Sequence, residues 1–106
     1  MQRREHNAAD APALAGQYTQ AIEVSGSSRT LYISGQVGVR ADGSIPDDAE
    51  TQAVVAWRNL QAQLRTAGMH IGNLVKITTI VRDEADIPAI RTGRAAVLGS
   101  QSLPAR

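Results

Sequence analysis

The chain has no cysteine, no phenylalanine and a single tryptophan in 106 residues. Without cysteine there is no thiol nucleophile, no disulfide and no thiolate metal site. Acidic and basic residues nearly cancel, at ten and eleven, and lysine is almost missing: ten of the eleven basic residues are arginine and the other is Lys76. Apart from Arg3-Arg4 these charges are scattered, whereas a nucleic-acid surface needs clustered positive charge to displace counterions. Nucleic acid is therefore not an expected partner. No apolar run approaches the ~18 residues of a membrane span. Met1-Gln2-Arg3-Arg4 opens like a secretory leader, but Glu5, His6, Asn7 and Asp10 interrupt it, so a soluble cytoplasmic protein is expected. His6 and His70 have no carboxylate or second histidine at ligand spacing, and no metal site is expected. No nucleophile-plus-base arrangement is visible either.

What is present is concentrated at two places. Ser34-Gly35-Gln36 follows a short apolar stretch and reads as a strand end, with backbone and hydroxyl exposed to a cleft. Pro104-Ala105-Arg106 sets a guanidinium after a proline-pinned turn. An arginine held this way grips a carboxylate through two parallel hydrogen bonds, which points to a small organic acid as ligand. The plain alternative is a flexible terminal arginine.

At this length one domain is expected, with residues 1–15 a loose arm that has a short extended lead-in. A core this small gains from association with further copies. Tyr18–Val24 mixes β-formers with polar residues, Ser25–Ser28 is turn chemistry, and Thr30–Ile33 completes a hairpin. A strand glycine often marks a bulge, so Gln36–Val39 is expected to extend the second strand past Gly35. From Asp48 to Ala67 the stripe Ala49, Ala53, Trp57, Leu60, Leu64 and Ala67 has helical spacing. Asp47 or Asp48 caps its start, Gly68 suits its end, and Gln52, Arg58, Asn59 and Arg65 are expected to face water. Trp57, on the apolar stripe, is a core residue rather than a stacking platform. Leu74–Val81 alternates and predicts a third, central strand. A second helix follows Asp83–Asp86, burying Ile87, Ile90, Val97 and Leu98 despite Gly93 in its middle. The order predicts an α+β sandwich that lacks something at its C-terminus.

These pieces resemble the RidA/YjgF family, also named for a perchloric-acid-soluble ribonuclease. Gly16-Gln17-Tyr18-Thr19-Gln20-Ala21 stands where members have Gly-Pro-Tyr-Ser-Gln-Ala. Leu31-Tyr32-Ile33-Ser34-Gly35-Gln36 is similar to a Leu-Tyr-Val-Ser-Gly-Gln strand. Gln52, Asn59-Leu60 and Ala67-Gly68 fit the long helix, Val75-Lys76-Ile77-Thr78 and Asp83 the segment after it, and Pro104-Ala105-Arg106 the Pro-Ala-Arg motif. The resemblance implies a chorismate-mutase-like α+β fold, a mixed sheet with two helices packed on one face, here as though cut before the last two strands. It implies a homotrimer with clefts between subunits, and hydrolysis of enamines and imines such as 2-aminoacrylate to 2-oxo acids and ammonia, without metal or organic cofactor. It gives Arg106 the substrate carboxylate, places Tyr18 and Ser34 on the pocket wall and sets the backbone of Gly35 beside the substrate.

Gln17 replaces the family's proline. Arg91 and Arg94 replace an asparagine and a tyrosine. The family's acidic residue, thought to orient the attacking water, falls in strands beyond this chain's last residue. Arg91 and Arg94 lie side by side on one helical face. They read either as a solvated face paired with Asp83, Glu84 or Asp86, or, through Arg91, as a second substrate contact. Tyr18 reads equally as an interface tyrosine, and Ser34 as a satisfied strand-end hydroxyl. Two rival functions stand beside the deaminase: a non-catalytic trimer that binds small carboxylates, and an endoribonuclease that inhibits translation.

Overall fold

A computed structural model describes residues 2–12, 18–26 and 28–99. Three strands, β1 (Gln2–His6), β2 (Ala21–Ser25) and β3 (Arg29–Ile33), form one antiparallel sheet in that order. Helix α1 (Ala49–Thr66) and helix α2 (Ile87–Leu98) follow, and the stretch between them includes two 3-10 turns, Ile71–Asn73 and Glu84–Asp86. The α+β class is the expected one. The described sheet, however, is antiparallel throughout rather than mixed.

Strand alternation divides the sheet into two faces. Ala21 and Glu23 of β2 are buried, as is His6, which lies opposite Ala21. Hydrogen bonds from Ala8 N to Gln63 Oε1 and from Arg29 Nη1 to the Ala67 carbonyl, both 3.0 Å, tie the ends of β1 and β3 to α1 and set the helix across this face. Ile22 and Tyr32 pair on the other face, where Tyr32 is 65% exposed.

The N-terminal segment departs from expectation. Gln2–His6 is a full ladder strand, not part of a loose arm. The physical reason is a buried charge cluster. His6 Nε2–H donates to Glu23 Oε1 at 3.0 Å, and Arg29 Nη1–H donates to Glu23 Oε2 at 3.2 Å. Glu23 can stay buried and ionised because both its oxygens are engaged. First the His6 hydrogen bond and then the Arg29 charge hold its carboxyl below the ordinary range, against the opposing effect of burial.

Helix α1 starts as its sequence dictates. Asp48 Oδ2 accepts from Thr51 N at 2.8 Å and caps the first turn. Gly68, at φ +71°, ends it in the left-handed region that only glycine enters freely. Its buried surface is less apolar than the stripe suggested. Ala53, Ala62 and Leu64 are buried, but so are Asn59 and Gln63, while Trp57 is only half-buried. Helix α2 packs on α1 through Gly93, where a side-chain carbon would stand 2.5 Å from the Glu50 carbonyl oxygen. A residue that weakens the helix in isolation is thus required by the helix pair. Leu98 is buried on the same helix, with Ile87, Ile90 and Val97 half-buried.

Leu74–Val81 forms no ladder strand among the described residues; it carries one isolated bridge, at Lys76. Leu74 N is already spent on the Ile71 carbonyl, at 3.1 Å. Of the alternating side chains Ile77 is buried, whereas Val75 and Ile80 are exposed, Ile80 by 92%. Alternation placed one side chain inward but supplied no strand neighbour.

Candidate functional site

Where β2 begins and β3 ends, the chain gathers Tyr18, Thr19 and Gln20 beside Ser34, Gly35 and Gln36. The register that pairs Ala21 with Ile33 carries on one step, so that Ser34 N donates to the Gln20 carbonyl at 2.8 Å. Ser34 Oγ donates to the Thr19 carbonyl at 2.6 Å. Gln36 Nε2 donates to Gln20 Oε1 at 3.1 Å and to the Ser34 carbonyl at 3.0 Å. Gln20 N donates in turn to Asn7 Oδ1 at 2.8 Å, and Thr19 Oγ1 to Glu5 Oε1 at 2.8 Å.

This corner is built to hold shape. The Ser34 hydroxyl has spent its only hydrogen on a main-chain carbonyl and keeps lone pairs for accepting. Among the described residues no histidine or carboxylate bonds it, so it is not arranged there as a nucleophile. Gly35 is exposed, and among the described residues nothing lies within 4 Å of the point where a side chain would begin. Tyr18, 48% exposed, precedes the residue whose carbonyl Ser34 binds. The structure therefore sets Tyr18, Ser34 and Gly35 at one corner of the sheet, and among the described residues nothing fills the space beside Gly35.

Other expected site residues stand apart. Arg91 is exposed on α2 and forms no ion pair with Asp83, Glu84 or Asp86 among the described residues. Pro104-Ala105-Arg106 lies outside the described residues, as does Gly16-Gln17. The segment after Gly35 does not extend β3 past a bulge. It folds onto α1 instead: Asn59 Nδ2 donates to the Val37 carbonyl at 2.9 Å and to the Val39 carbonyl at 2.8 Å.

Asn59 was expected in water, and its burial belongs to a pattern. Gln52, Asn59 and Gln63 lie on one side of α1. Gln52 Nε2 donates to the Pro46 carbonyl at 2.8 Å, Asn59 binds two carbonyls, and Gln63 Oε1 accepts from Ala8 N. Each neutral carboxamide satisfies main-chain groups of an irregular segment that has no ladder to bond. The signal in the sequence was three carboxamides on one helical side, on a helix otherwise fringed with arginine.

A cleft of about 570 Å³ opens at the opposite end of the sheet, lined by Gln2, Arg3, Arg4, Glu23, Ser25 and Arg29. Its Glu23 and Arg29 already serve the buried cluster. Among the described residues no three metal-ligating side chains come together, and no helix is long and apolar enough to cross a membrane.

Known proteins share this fold. Residues 8–106 match the family model for endoribonuclease L-PSP. The chain is 37% identical, over 91% of its length, to 2-iminobutanoate/2-iminopropanoate deaminase of Mus musculus and spans 70% of that protein. Curated relatives are longer, the chain spanning from 61% to 74% of their length. Among solved structures, RidA from the Antarctic bacterium Psychrobacter sp. is 30% identical with a TM-score of 0.87, covering 97% of this chain and 81% of that one. Escherichia coli TdcF, solved with bound serine, is 27% identical with a TM-score of 0.86, covering 97% of this chain and 81% of that one. The chain belongs to the endoribonuclease L-PSP family, which is the RidA/YjgF family.

Proposed function

We propose that the protein hydrolyses small 2-imino acids, and the enamines that tautomerise to them, to 2-oxo acids and ammonia. The observation that carries this reading is the corner where Ser34, bonded to the Thr19 and Gln20 carbonyls, stands between the exposed Gly35 and the segment of Tyr18, in a chain that also holds the Pro104-Ala105-Arg106 motif. Two relatives point the same way: a curated one named for imine deamination, and a solved one that holds serine, itself a small carboxylate.

In this reading Arg106 takes the substrate carboxylate on two parallel N–H donors. Tyr18 and the Gly35 backbone bound the carbon skeleton. The lone pairs of Ser34 Oγ accept from the imine N–H. Arg91, exposed on α2, is the candidate for a second anion contact. Protonation of an enamine at its β-carbon gives the iminium. Water then adds to the iminium carbon, and the C=N π pair moves to nitrogen. A proton passes from the added oxygen to nitrogen, the C–N bond breaks as the remaining O–H proton goes to solvent, and ammonia leaves a 2-oxo acid. The reaction needs orientation of the acid and of one water more than it needs a strong base.

The site is proposed to sit between copies in a homotrimer, in the cytoplasm. The exposed Tyr32, beside Ile22 on the sheet face opposite α1, supports association through that face. The test is ammonia release from 2-aminoacrylate generated in situ. Acceleration proportional to protein concentration is expected. Binding of 2-oxobutyrate by calorimetry without any acceleration would select a carboxylate-binding protein instead.

A further inference from the structure

We infer that Asn59 is a positioning residue: from α1 it sets the backbone of Gly35–Val39, and with it the rim of the candidate site. The identity of the ligand in this inference rests on the deaminase reading; the clamp itself does not.

A carboxamide on a surface helix ordinarily points to water. Asn59 is only 6% exposed, and its Nδ2 meets two carbonyls, of Val37 and Val39, at 2.9 and 2.8 Å. Two acceptors require the nitrogen rather than the oxygen of the carboxamide at this place. The carbonyls converge because the chain turns tightly between them, with Val39 N donating to the Val37 carbonyl at 2.9 Å. Gly38, at the apex, presses on the helix: a side-chain carbon there would stand 2.5 Å from the Gln52 carbonyl oxygen and 2.8 Å from Gln52 Cα. On the other side of Gly35, Ser34 is bound to the Thr19 and Gln20 carbonyls and Gln36 to Gln20. Gly35 is thus suspended between two anchored segments while its own face stays open. Release of the α1 anchor lets the rim move without unfolding β2 or β3, because neither strand bonds to Asn59.

The experiment compares wild type, Asn59→Ala and the near-isosteric Asn59→Asp, which sets carboxylate oxygens against two carbonyl oxygens. Amide hydrogen exchange over Gly35–Val39 and steady-state hydrolysis of 2-iminopropanoate are both read. Both variants are expected to lose exchange protection in that segment and to raise KM by about tenfold, with kcat per folded molecule changed far less. A merely structural role lowers the melting temperature and the active fraction but leaves KM alone, and that outcome overturns the inference. Should both variants fail to fold, Gly38→Ala, which lifts the same loop from Gln52, must raise KM equally; an unchanged KM overturns the inference. Should wild type fail to hydrolyse the imine, the deaminase reading falls and exchange decides: unchanged protection in Asn59→Ala then overturns the clamp.

Discussion

Ser34 is held by what it gives away. Its hydrogen goes to the Thr19 carbonyl and its N–H to the Gln20 carbonyl, so it shapes the corner and offers only lone pairs to a ligand. Ser34→Ala is expected to lower kcat/KM by about fivefold, the worth of one ordinary hydrogen bond of ~1 kcal/mol. Steady-state kinetics check this; loss of all activity would mean that the hydroxyl attacks the substrate. The strand entry before Ala21 and the strand exit at Ser34-Gly35 were legible from sequence because both are marked locally, by β-formers meeting a glycine. Asn59 was not, because helical periodicity sorts side chains by hydrophobicity, and a buried carboxamide is polar like one in water. Three carboxamides on one helical side mark the place, but the partner that buries Asn59, the Val37 carbonyl more than twenty positions earlier, is displayed by no local pattern.

At the scale of elements, α1 and the β2–β3 hairpin follow from spacing, capping and turn chemistry. The strand at Gln2–His6 did not, since its reason for pairing is one buried ion cluster rather than an apolar rhythm. Glu23 in that cluster titrates below the ordinary glutamate range, through His6 first and Arg29 after burial's opposing effect. The unfolded chain therefore binds this proton more readily than the folded one, and stability rises with pH across the interval. The contribution is complete above the ordinary glutamate range and is lost as pH falls through the depressed value. Glu23→Gln is expected to flatten that acid limb, as read by thermal melts at stepped pH. The helix pair makes a second prediction. Alanine gains about 1 kcal/mol over glycine in an isolated helix. At Gly93 its methyl meets the Glu50 carbonyl and Ala53 Cβ, at 2.5 and 2.8 Å. Gly93→Ala is expected to destabilise the protein by about 1–3 kcal/mol, measured by urea denaturation, and a stabilised variant would show that α2 can ride away from α1.

At the scale of the molecule, α1 lies over one sheet face, and among the described residues no helix covers the other. Ile22 and Tyr32 pair on the open face, with Val24 half-buried beside them. A domain of this size gains from covering such a surface with another copy. Tyr32→Asp places a charge at its centre and is expected to yield monomers in light scattering, with imine turnover lost alongside if the site lies between copies. Full activity in a stable monomer would place the site within one chain. Fold class and family were legible in the sequence at this scale, because motif order survives even where single residues differ. The pairing of Leu74–Val81 was not, because alternation names a face and never the neighbour that strand would bond.

The most direct measurement compares ammonia release from in situ 2-iminopropanoate by wild type, Arg106→Lys and Arg106→Ala at matched folded concentration. A forked carboxylate clamp predicts near-complete loss in the alanine variant and only partial recovery with lysine, whose point charge cannot form two parallel bonds. Undiminished turnover by Arg106→Ala would contradict the clamp and the chemistry built upon it.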